Sequence, residues 1–154
     1  MSKNEIIKVG QIGAGSFGIK RAESVKQCKG VELLAIADVN NAIAEKAGQA
    51  LGVGASSVEN LIANKEINIV TIATPNENHS VLACAALQAG KHVLCEKPVA
   101  RNADEALQIL KASKLSGYKV KVGSNHRYFS SVLKARQIVD SGSIGKVVSF
   151  NGRI

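Results

Sequence analysis

Aromatic residues and cysteines are scarce in this sequence. Aromatic residues make up 3% of the 154 residues and tryptophan is absent, which argues against a module that stacks nucleic-acid bases on aromatic rings. The three cysteines, Cys28, Cys84 and Cys95, lack the spacing of metal ligands, and all three lie in segments that we expect to be buried. Buried, reduced thiols are typical of the cytosol. We therefore expect a cytoplasmic protein without a metal site.

Long hydrophobic runs are also missing. No stretch is long enough to span a membrane, and residues 1–5 are not followed by the apolar core of a signal peptide. Hydrophobic residues nevertheless make up 45% of the chain, which is typical of a folded core. The net charge of +8 comes from scattered lysines and arginines. We interpret it as a solvated basic surface, with attraction of anionic ligands or weak nucleic-acid binding as alternatives, and expect neither a membrane nor a nucleic-acid partner.

Apolar runs alternate with helical patterns along most of the chain. This order predicts an α/β fold with a Rossmann-type, doubly wound parallel sheet over residues 1–124. From Val148 the pattern changes to strict alternation, which predicts a strand of an antiparallel sheet. Residues 125–154 are therefore expected to be only the start of a second, α+β domain. The predicted strands of the first domain are Ile7–Ile12, Val31–Ala37, Ile67–Ala73, Lys91–Cys95 and Lys119–Gly123, with a weaker one at Gly54–Ser56.

A glycine-rich hexad between the first strand and the first helix points to a dinucleotide site. Gly13 permits the tight turn, Gly15 lets the backbone approach a pyrophosphate, and Gly18 lets the helix pack closely. The free N–H groups at the start of the helix then face the anion. The alternative is a glycine turn of an ordinary α/β domain. The predicted contacts of this loop are Gly13, Ala14, Gly15, Ser16, Phe17 and Gly18.

An acidic residue at the end of the second strand supports the same interpretation. Asp38 lies twenty positions past Gly18 and is followed by Val39, which we also expect to contact the cofactor. The Asp38 carboxylate can accept hydrogen bonds from ribose hydroxyls, whereas its charge would repel a 2′-phosphate. The predicted cofactor is therefore NAD, with NADP disfavoured.

Two further motifs follow the fourth and fifth strands. The first runs from Ala73 through Thr74, Pro75 and Asn76 to His79, and the second contains Glu96, Lys97 and Pro98. Ligands of open α/β sheets bind beyond the carboxyl ends of the strands. Both motifs are therefore expected beside the glycine loop, in one site.

Together these motifs resemble the Gfo/Idh/MocA family of NAD(P)-dependent sugar and cyclitol oxidoreductases. Segments 123–128 and 145–147 are also similar to this family. The resemblance implies that Lys97 is the catalytic lysine, presented by a cis peptide bond before Pro98, and that Glu96 lies near the nicotinamide-side ribose. His79 is implied equally as a ligand contact or as a hydrogen-bonding residue at a helix start. The remaining cofactor contacts that the resemblance implies are Ala73, Thr74, Pro75, Asn76, Asn125 and Arg127, and Lys97 is implied as a cofactor contact as well as the catalytic residue.

The sequence departs from this family in one respect. Family members have a second domain that supplies an Asp-x-x-x-His pair, in which the histidine is the acid/base. Neither Asp38 nor Asp104 nor Asp140 has a histidine four residues later. The chain is thus expected to be either a piece of a longer enzyme for sugars or polyols, in which homo-oligomers are an option, or a short relative that binds NAD as a non-catalytic regulatory module. In either case we expect negligible dehydrogenase activity from this chain.

Overall fold

The apolar runs and helical patterns of the sequence form strands and helices that alternate along the chain. The computed structural model describes residues 6–152. Its strands are β1 (Ile7–Ile12), β2 (Val31–Ala37), β3 (Gly54–Ser56), β4 (Ile69–Ile72), β5 (His92–Glu96) and β6 (Val120–Gly123). Its α-helices are α1 (Ser16–Lys26), α2 (Asn41–Leu51), α3 (Val58–Ala63), α4 (His79–Gln88), α5 (Ala103–Ser116) and α6 (Ser130–Asp140). Short 3₁₀ helices cover Asn76–Asn78 and Asn125–Tyr128.

All six strands pair in parallel, in the order β3-β2-β1-β4-β5-β6. The predicted Rossmann-type, doubly wound sheet is therefore confirmed. The strand order reverses at β1, which pairs with β2 on one side and with β4 on the other. Because the chain continues the sheet to one side of β1 with β2 and to the other side with β4, a crevice opens beyond the carboxyl end of β1. This is the edge of the sheet at which the sequence placed the site.

The helices cover the sheet on both faces, and each face has its own hydrophobic cluster. Along β2, Ile36 belongs to one cluster, whereas its neighbours Ala35 and Ala37 belong to the other. This alternation follows from the two-residue period of a strand, which turns successive side chains to opposite faces. The strands are apolar on both faces because neither face is left to water. The largest fully buried apolar side chains are Ile12, Ile36, Leu61, Ile67, Ile72 and Leu87.

Two of the helices begin at an asparagine cap and end at a glycine. The side chain of Asn40 accepts a hydrogen bond from the Ala42 N–H at the start of α2, and Asn102 does the same for the Glu105 N–H at the start of α5. Gly52 and Gly117 end these helices in the left-handed conformation that favours glycine. Within residues 6–152, no helix is both long enough and apolar enough to cross a bilayer.

Residues from Ser124 onward belong to a second compact unit, distinct from the sheet-containing unit that ends at Gly123. In this second unit, α6 carries no buried residue. The predicted strand from Val148 is wrong over residues 148–152, where no strand forms; residues 153–154 lie outside the described range. An alternating pattern produces a strand only where a partner strand accepts its backbone hydrogen bonds, and the described part of this unit contains none. The predicted two-domain division at residue 124 stays a prediction.

The cysteines are not all buried, contrary to the sequence-based expectation. Cys95 is buried in β5, Cys84 is half-buried in α4, and Cys28 is exposed just after α1. Cys28 lies two residues past the end of α1 at Lys26, in the turn that leads to Gly30.

Candidate functional site

The strand pairing brings the predicted motifs to one edge of the sheet. At the carboxyl end of β1, Ile12 pairs with Ala37 of β2 and with Ile72 of β4. The Gly13 N–H continues the ladder to the Ala37 carbonyl at 2.8 Å, and the Ala73 N–H bonds to the Ile12 carbonyl at 2.9 Å. The glycine loop, Asp38 and the segment from Ala73 therefore start from three neighbouring strand ends.

Two glycines are required by close approaches of the backbone. Gly13 has a φ of +95°, and a Cβ there would lie 2.7 Å from the Ala73 carbonyl carbon and closer still to its oxygen. A Cβ on Gly18 would lie 2.8 Å from the Gly13 carbonyl carbon and again closer to the oxygen. Real Cβ atoms do not approach other atoms within 3.0 Å. Gly13 thus allows the loop to pass β4, and Gly18 allows α1 to pack on the loop.

The N-terminus of α1 is open to a ligand. Gly15 is its N-cap residue and supplies no side-chain acceptor, so the first N–H groups of the helix have no cap. A Cβ on Gly15 would meet nothing within 4 Å, and Ser16 and Phe17 in the first turn are exposed. Uncapped N–H groups and the positive end of the helix dipole suit a pyrophosphate. The arrangement fits the role predicted for the glycine hexad.

Asp38 is held in place by backbone N–H groups. Its Oδ2 accepts a hydrogen bond from the Ala14 N–H at 2.8 Å, and its Oδ1 accepts one from the Asn40 N–H at 3.0 Å. A carboxylate oxygen has two acceptor positions, so each oxygen keeps one for a further donor. The carboxylate is therefore fixed beside the glycine loop with capacity to bind two hydroxyls.

A cavity of about 580 Å³ lies beside this carboxylate. It extends from the glycine loop towards α3 and α4, and its walls are mostly apolar. Val39 is 90% exposed and presents its apolar side chain to this cavity. The lining residues are Ile12, Gly13, Gly15, Asp38, Val39, Val58, Glu59, Ala73, Thr74, Pro75, Glu77, Asn78, Val81 and Leu82.

A second cavity of about 180 Å³ shares Ala73 and Thr74 with the first. The segment that follows β4 therefore separates the two cavities, with Pro75 on the first and Asn76 on the second. The cavity is lined by Phe17, Ala73, Thr74, Asn76, His79, Glu96 and Lys97. A long ligand that crosses the end of the sheet would occupy both cavities, which suits the two halves of a dinucleotide.

His79 supports the second cavity from within the protein. Its side chain is fully buried; Nδ1 lies 2.7 Å from the Pro98 carbonyl oxygen and Nε2 lies 2.9 Å from the Thr74 carbonyl oxygen. Both ring nitrogens are thus engaged by the backbone. Of the two roles implied for His79, the structure favours hydrogen bonding at the helix start, which ties the two predicted motifs together.

Glu96 is nearly buried and forms an ion pair with Arg21 of α1. The Arg21 guanidinium carbon lies 5.7 Å from the centre of the Phe17 ring, one helical turn earlier. Arg21 is not among the residues predicted from the sequence, because a basic residue on a helix is usually solvated. The available signal was its position four residues after Phe17, on the same face of α1. A Cβ on Gly123 would come within 2.8 Å of Glu96 Oε1, so β6 also leaves room for this carboxylate.

Lys97 is exposed at the end of β5 and lines the second cavity. The peptide bond to Pro98 is cis, as the resemblance implies. Burial, together with the adjacent Glu96 carboxylate, raises the pKa of the Cys95 thiol to about 12. Cys95 therefore stays neutral and structural, and Lys97 presents the accessible ionisable group of this strand end.

Asn125 and Arg127 lie on the 3₁₀ helix Asn125–Tyr128 of the second unit, and both are exposed. Their predicted contact with the cofactor stays a prediction. Within residues 6–152, no three histidine, cysteine, aspartate or glutamate side chains are grouped as they would be around a metal ion.

Comparison with known sequences agrees with this geometry. The family model for Gfo/Idh/MocA proteins, described as "Oxidoreductase family, NAD-binding Rossmann fold", matches residues 7–124. Inositol 2-dehydrogenase from Salmonella typhimurium is 32% identical over 152 residues, which are 96% of this chain and 45% of that protein. Levoglucosan dehydrogenase from Pseudarthrobacter phenanthrenivorans is 36% identical over 119 residues, which are 76% of this chain and 30% of that protein.

A similar structure has been solved with its ligands. The crystal structure of scyllo-inositol dehydrogenase from Lactobacillus casei with bound NAD(H) and scyllo-inositol superposes with a TM-score of 0.85 at 28% identity. The match covers 92% of this chain and 43% of that one. The chain thus spans less than half of the length of each of these relatives.

Proposed function

The chain belongs to the Gfo/Idh/MocA oxidoreductase family, and we propose that it forms the NAD-binding part of a dehydrogenase that oxidises a hydroxyl of a cyclitol or sugar. The observation that carries the proposal is the uncapped N-terminus of α1 beside the fixed Asp38 carboxylate, at the reversal of the strand order. An anion site and an acceptor for ribose hydroxyls are combined there. The relatives named inositol 2-dehydrogenase and levoglucosan dehydrogenase support the substrate class.

Each part of the site has a defined task towards a dinucleotide. The first turn of α1 and Gly15 would hold the pyrophosphate, and Asp38 would accept hydrogen bonds from the adenosine ribose. Val39 and Pro75 offer apolar surface to the adenine in the larger cavity. Thr74 and Asn76 line the path towards the smaller cavity, where the nicotinamide would be bound.

The smaller cavity supplies the groups for chemistry. NAD, when bound, would provide the hydride acceptor of the reaction. Lys97 would donate a hydrogen bond to the reacting hydroxyl and stabilise the negative charge that develops on its oxygen. Glu96, paired with Arg21, would keep the end of β5 in position so that Lys97 faces the cavity.

A non-catalytic, NAD-binding regulatory module is the second candidate function. It is favoured by the state of His79, the one histidine that lines the smaller cavity in the described part of the chain. The ring is fully buried with a backbone carbonyl oxygen within 2.9 Å of each nitrogen, so a substrate proton cannot reach either nitrogen. The cofactor site is the same in both candidates, and they differ only in catalysis.

We predict that the chain binds NADH at least about tenfold more tightly than NADPH, because the Asp38 carboxylate attracts ribose hydroxyls and repels a 2′-phosphate. Replacing Asp38 with asparagine removes that repulsion and should largely abolish the preference. Fluorescence titration with both reduced cofactors measures it. The control is Asp104→Asn, which removes the same charge from an exposed position in the first turn of α5. Equal or tighter binding of NADPH by the unmodified chain would contradict the prediction.

For catalysis, we predict that this chain turns over cyclitols and sugars below the limit of detection. Proton transfer by a positioned group contributes about 10²–10⁴ to a rate, and the His79 ring is buried against two backbone carbonyls where a substrate cannot reach it. NADH absorbance with a panel of inositols, sugars and polyols provides the measurement. Lys97→Ala is the matched variant, and an NADH titration of the same variant separates a loss of turnover from a loss of cofactor affinity, because the Lys97 amine lines the smaller cavity. Clear turnover that disappears in Lys97→Ala would show that this part of the enzyme is sufficient.

A further inference from the structure

Two polar side chains are buried beneath the glycine loop, in strands that are otherwise apolar. Gln11 of β1 is fully buried and Thr71 of β4 is 3% exposed. They are direct partners in the register of the two strands. Burying an amide and a hydroxyl is costly unless both are hydrogen-bonded. Their contacts therefore indicate why polar groups occupy these two positions.

The contacts form a directed chain of hydrogen bonds. The Thr71 hydroxyl donates to Gln11 Oε1 at 2.5 Å, with a longer contact of 3.3 Å to the Gly10 carbonyl oxygen. Gln11 Nε2 then donates to the carbonyl oxygens of Ile12 at 2.9 Å and Gly13 at 3.1 Å. The opposite orientation of the amide would set its oxygen against both carbonyl oxygens, so the contacts determine the orientation.

The chain of hydrogen bonds ends on the peptide group between Gly13 and Ala14. The carbonyl of this group accepts from Gln11 Nε2, and its N–H donates to Asp38 Oδ2 at 2.8 Å. Gly13 has a φ of +95°, a conformation in which glycine has more freedom than other residues. One hydrogen bond at each end of the peptide group sets its plane. The orientation of Asp38 is thus linked to Thr71 through Gln11 and a single peptide group.

We propose that Gln11 and Thr71 are positioning residues for cofactor selection: they orient the Gly13–Ala14 peptide group and, through it, the carboxylate that distinguishes NAD from NADP. This inference rests on the proposed function of the site as an NAD site. Gln11 is fully buried and does not contact a cofactor, so its effect is transmitted by the Gly13 carbonyl. Removing the chain of hydrogen bonds should weaken the hold of the Ala14 N–H on Asp38 Oδ2, so that only the Asn40 N–H still fixes this carboxylate beside the ribose.

The test compares NADH and NADPH affinities of Gln11→Met and Thr71→Val with those of the unmodified chain. Both variants keep the side-chain volume and remove the donor that the chain of hydrogen bonds needs. We expect each to weaken NADH binding about three- to tenfold, the usual effect of one hydrogen bond, and to reduce the NADH/NADPH preference. Thr71→Ser retains the hydroxyl and should retain the preference. Ser80→Ala, which removes another buried hydroxyl in α4, should change neither affinity.

A merely structural role would lower the melting temperature without changing the ratio of the two affinities, and that result would overturn the inference. The Asp38→Asn variant gives a second criterion, because adding Gln11→Met to it should not change the ratio of the NADH and NADPH affinities any further. An effect that persists without the carboxylate would show that Gln11 acts by another route. If Gln11→Met does not fold, Thr71→Val and Thr71→Ser decide the question alone. Failure of the unmodified chain to bind NADH would overturn the proposed function, whereas an unchanged ratio in the variants overturns only this inference.

Discussion

Alanine in place of Gly18 is expected to destabilise the fold by about 3 kcal/mol or more, at the upper end of the usual cost of overpacking. The added Cβ would lie 2.8 Å from the Gly13 carbonyl carbon and closer to its oxygen. Both are backbone atoms of a loop that is tied to β2 through the Gly13 N–H and the Ala37 carbonyl. The loop cannot yield without breaking this contact, so α1 would have to shift away from it. The loss would remove a large share of the 5–15 kcal/mol that typically stabilises a domain.

Urea unfolding, monitored by circular dichroism, measures this loss of stability as a lower urea concentration at the unfolding midpoint. The matched control is Gly15→Ala, three residues earlier in the same hexad. Gly15 has an ordinary φ of −67°, and a Cβ there meets nothing within 4 Å, so we expect a loss below about 1 kcal/mol. Equal midpoints for Gly18→Ala and the unmodified chain would show that α1 can move away from the loop.

Valine in place of Gly15 is expected to abolish NADH binding, by about a hundredfold or more, while leaving the fold intact. Its side chain would project into the space in front of the uncapped N–H groups of α1. A pyrophosphate could then not reach these donors, whose hydrogen bonds and helix dipole supply the anion site. The φ of −67° and ψ of 178° at Gly15 are extended values that valine adopts without strain.

Calorimetric titration with NADH measures the affinity, and the melting temperature of the same sample reports on the fold. Adenosine, which has no phosphate, is the control ligand, and its weak binding should be unchanged in Gly15→Val. NADH affinity within about threefold of the unmodified chain would contradict the assignment of the pyrophosphate to this helix end. Together with Gly18→Ala, the variant separates the folding role of the hexad from its binding role.

Much of the site could be predicted from the sequence, because its main parts follow strand ends that local patterns reveal. The hexad from Gly13 to Gly18 and the carboxylate of Asp38 lie beside the crevice at the carboxyl end of β1. The side chains that support these parts could not be predicted in the same way. Arg21 and Glu96 are 75 positions apart, and Gln11 and Thr71 are 60 apart. Such pairs meet only through the strand order and register, which no local pattern contains.

Local patterns failed where tertiary partners decide the outcome. The alternation from Val148 predicted a strand, but residues 148–152 form none, because a strand requires a neighbour that takes up its backbone hydrogen bonds. The segment around Cys28 was expected to be buried, but α1 ends at Lys26 and leaves the thiol exposed. In both cases the local sequence favoured one outcome, and the tertiary surroundings of the segment produced another.

Interactions between near neighbours along the chain set the fold class, the order of the strands and helices, and the residues that form the glycine loop. These interactions are apolar periodicity, helix caps and glycines at tight turns. Three other contacts arise only once the chain is folded: His79 lies between two backbone carbonyls, Arg21 pairs with Glu96, and Gln11 donates to the peptide group whose N–H binds Asp38. A buried polar group must find its partner in space, and the partner's distance along the chain does not matter.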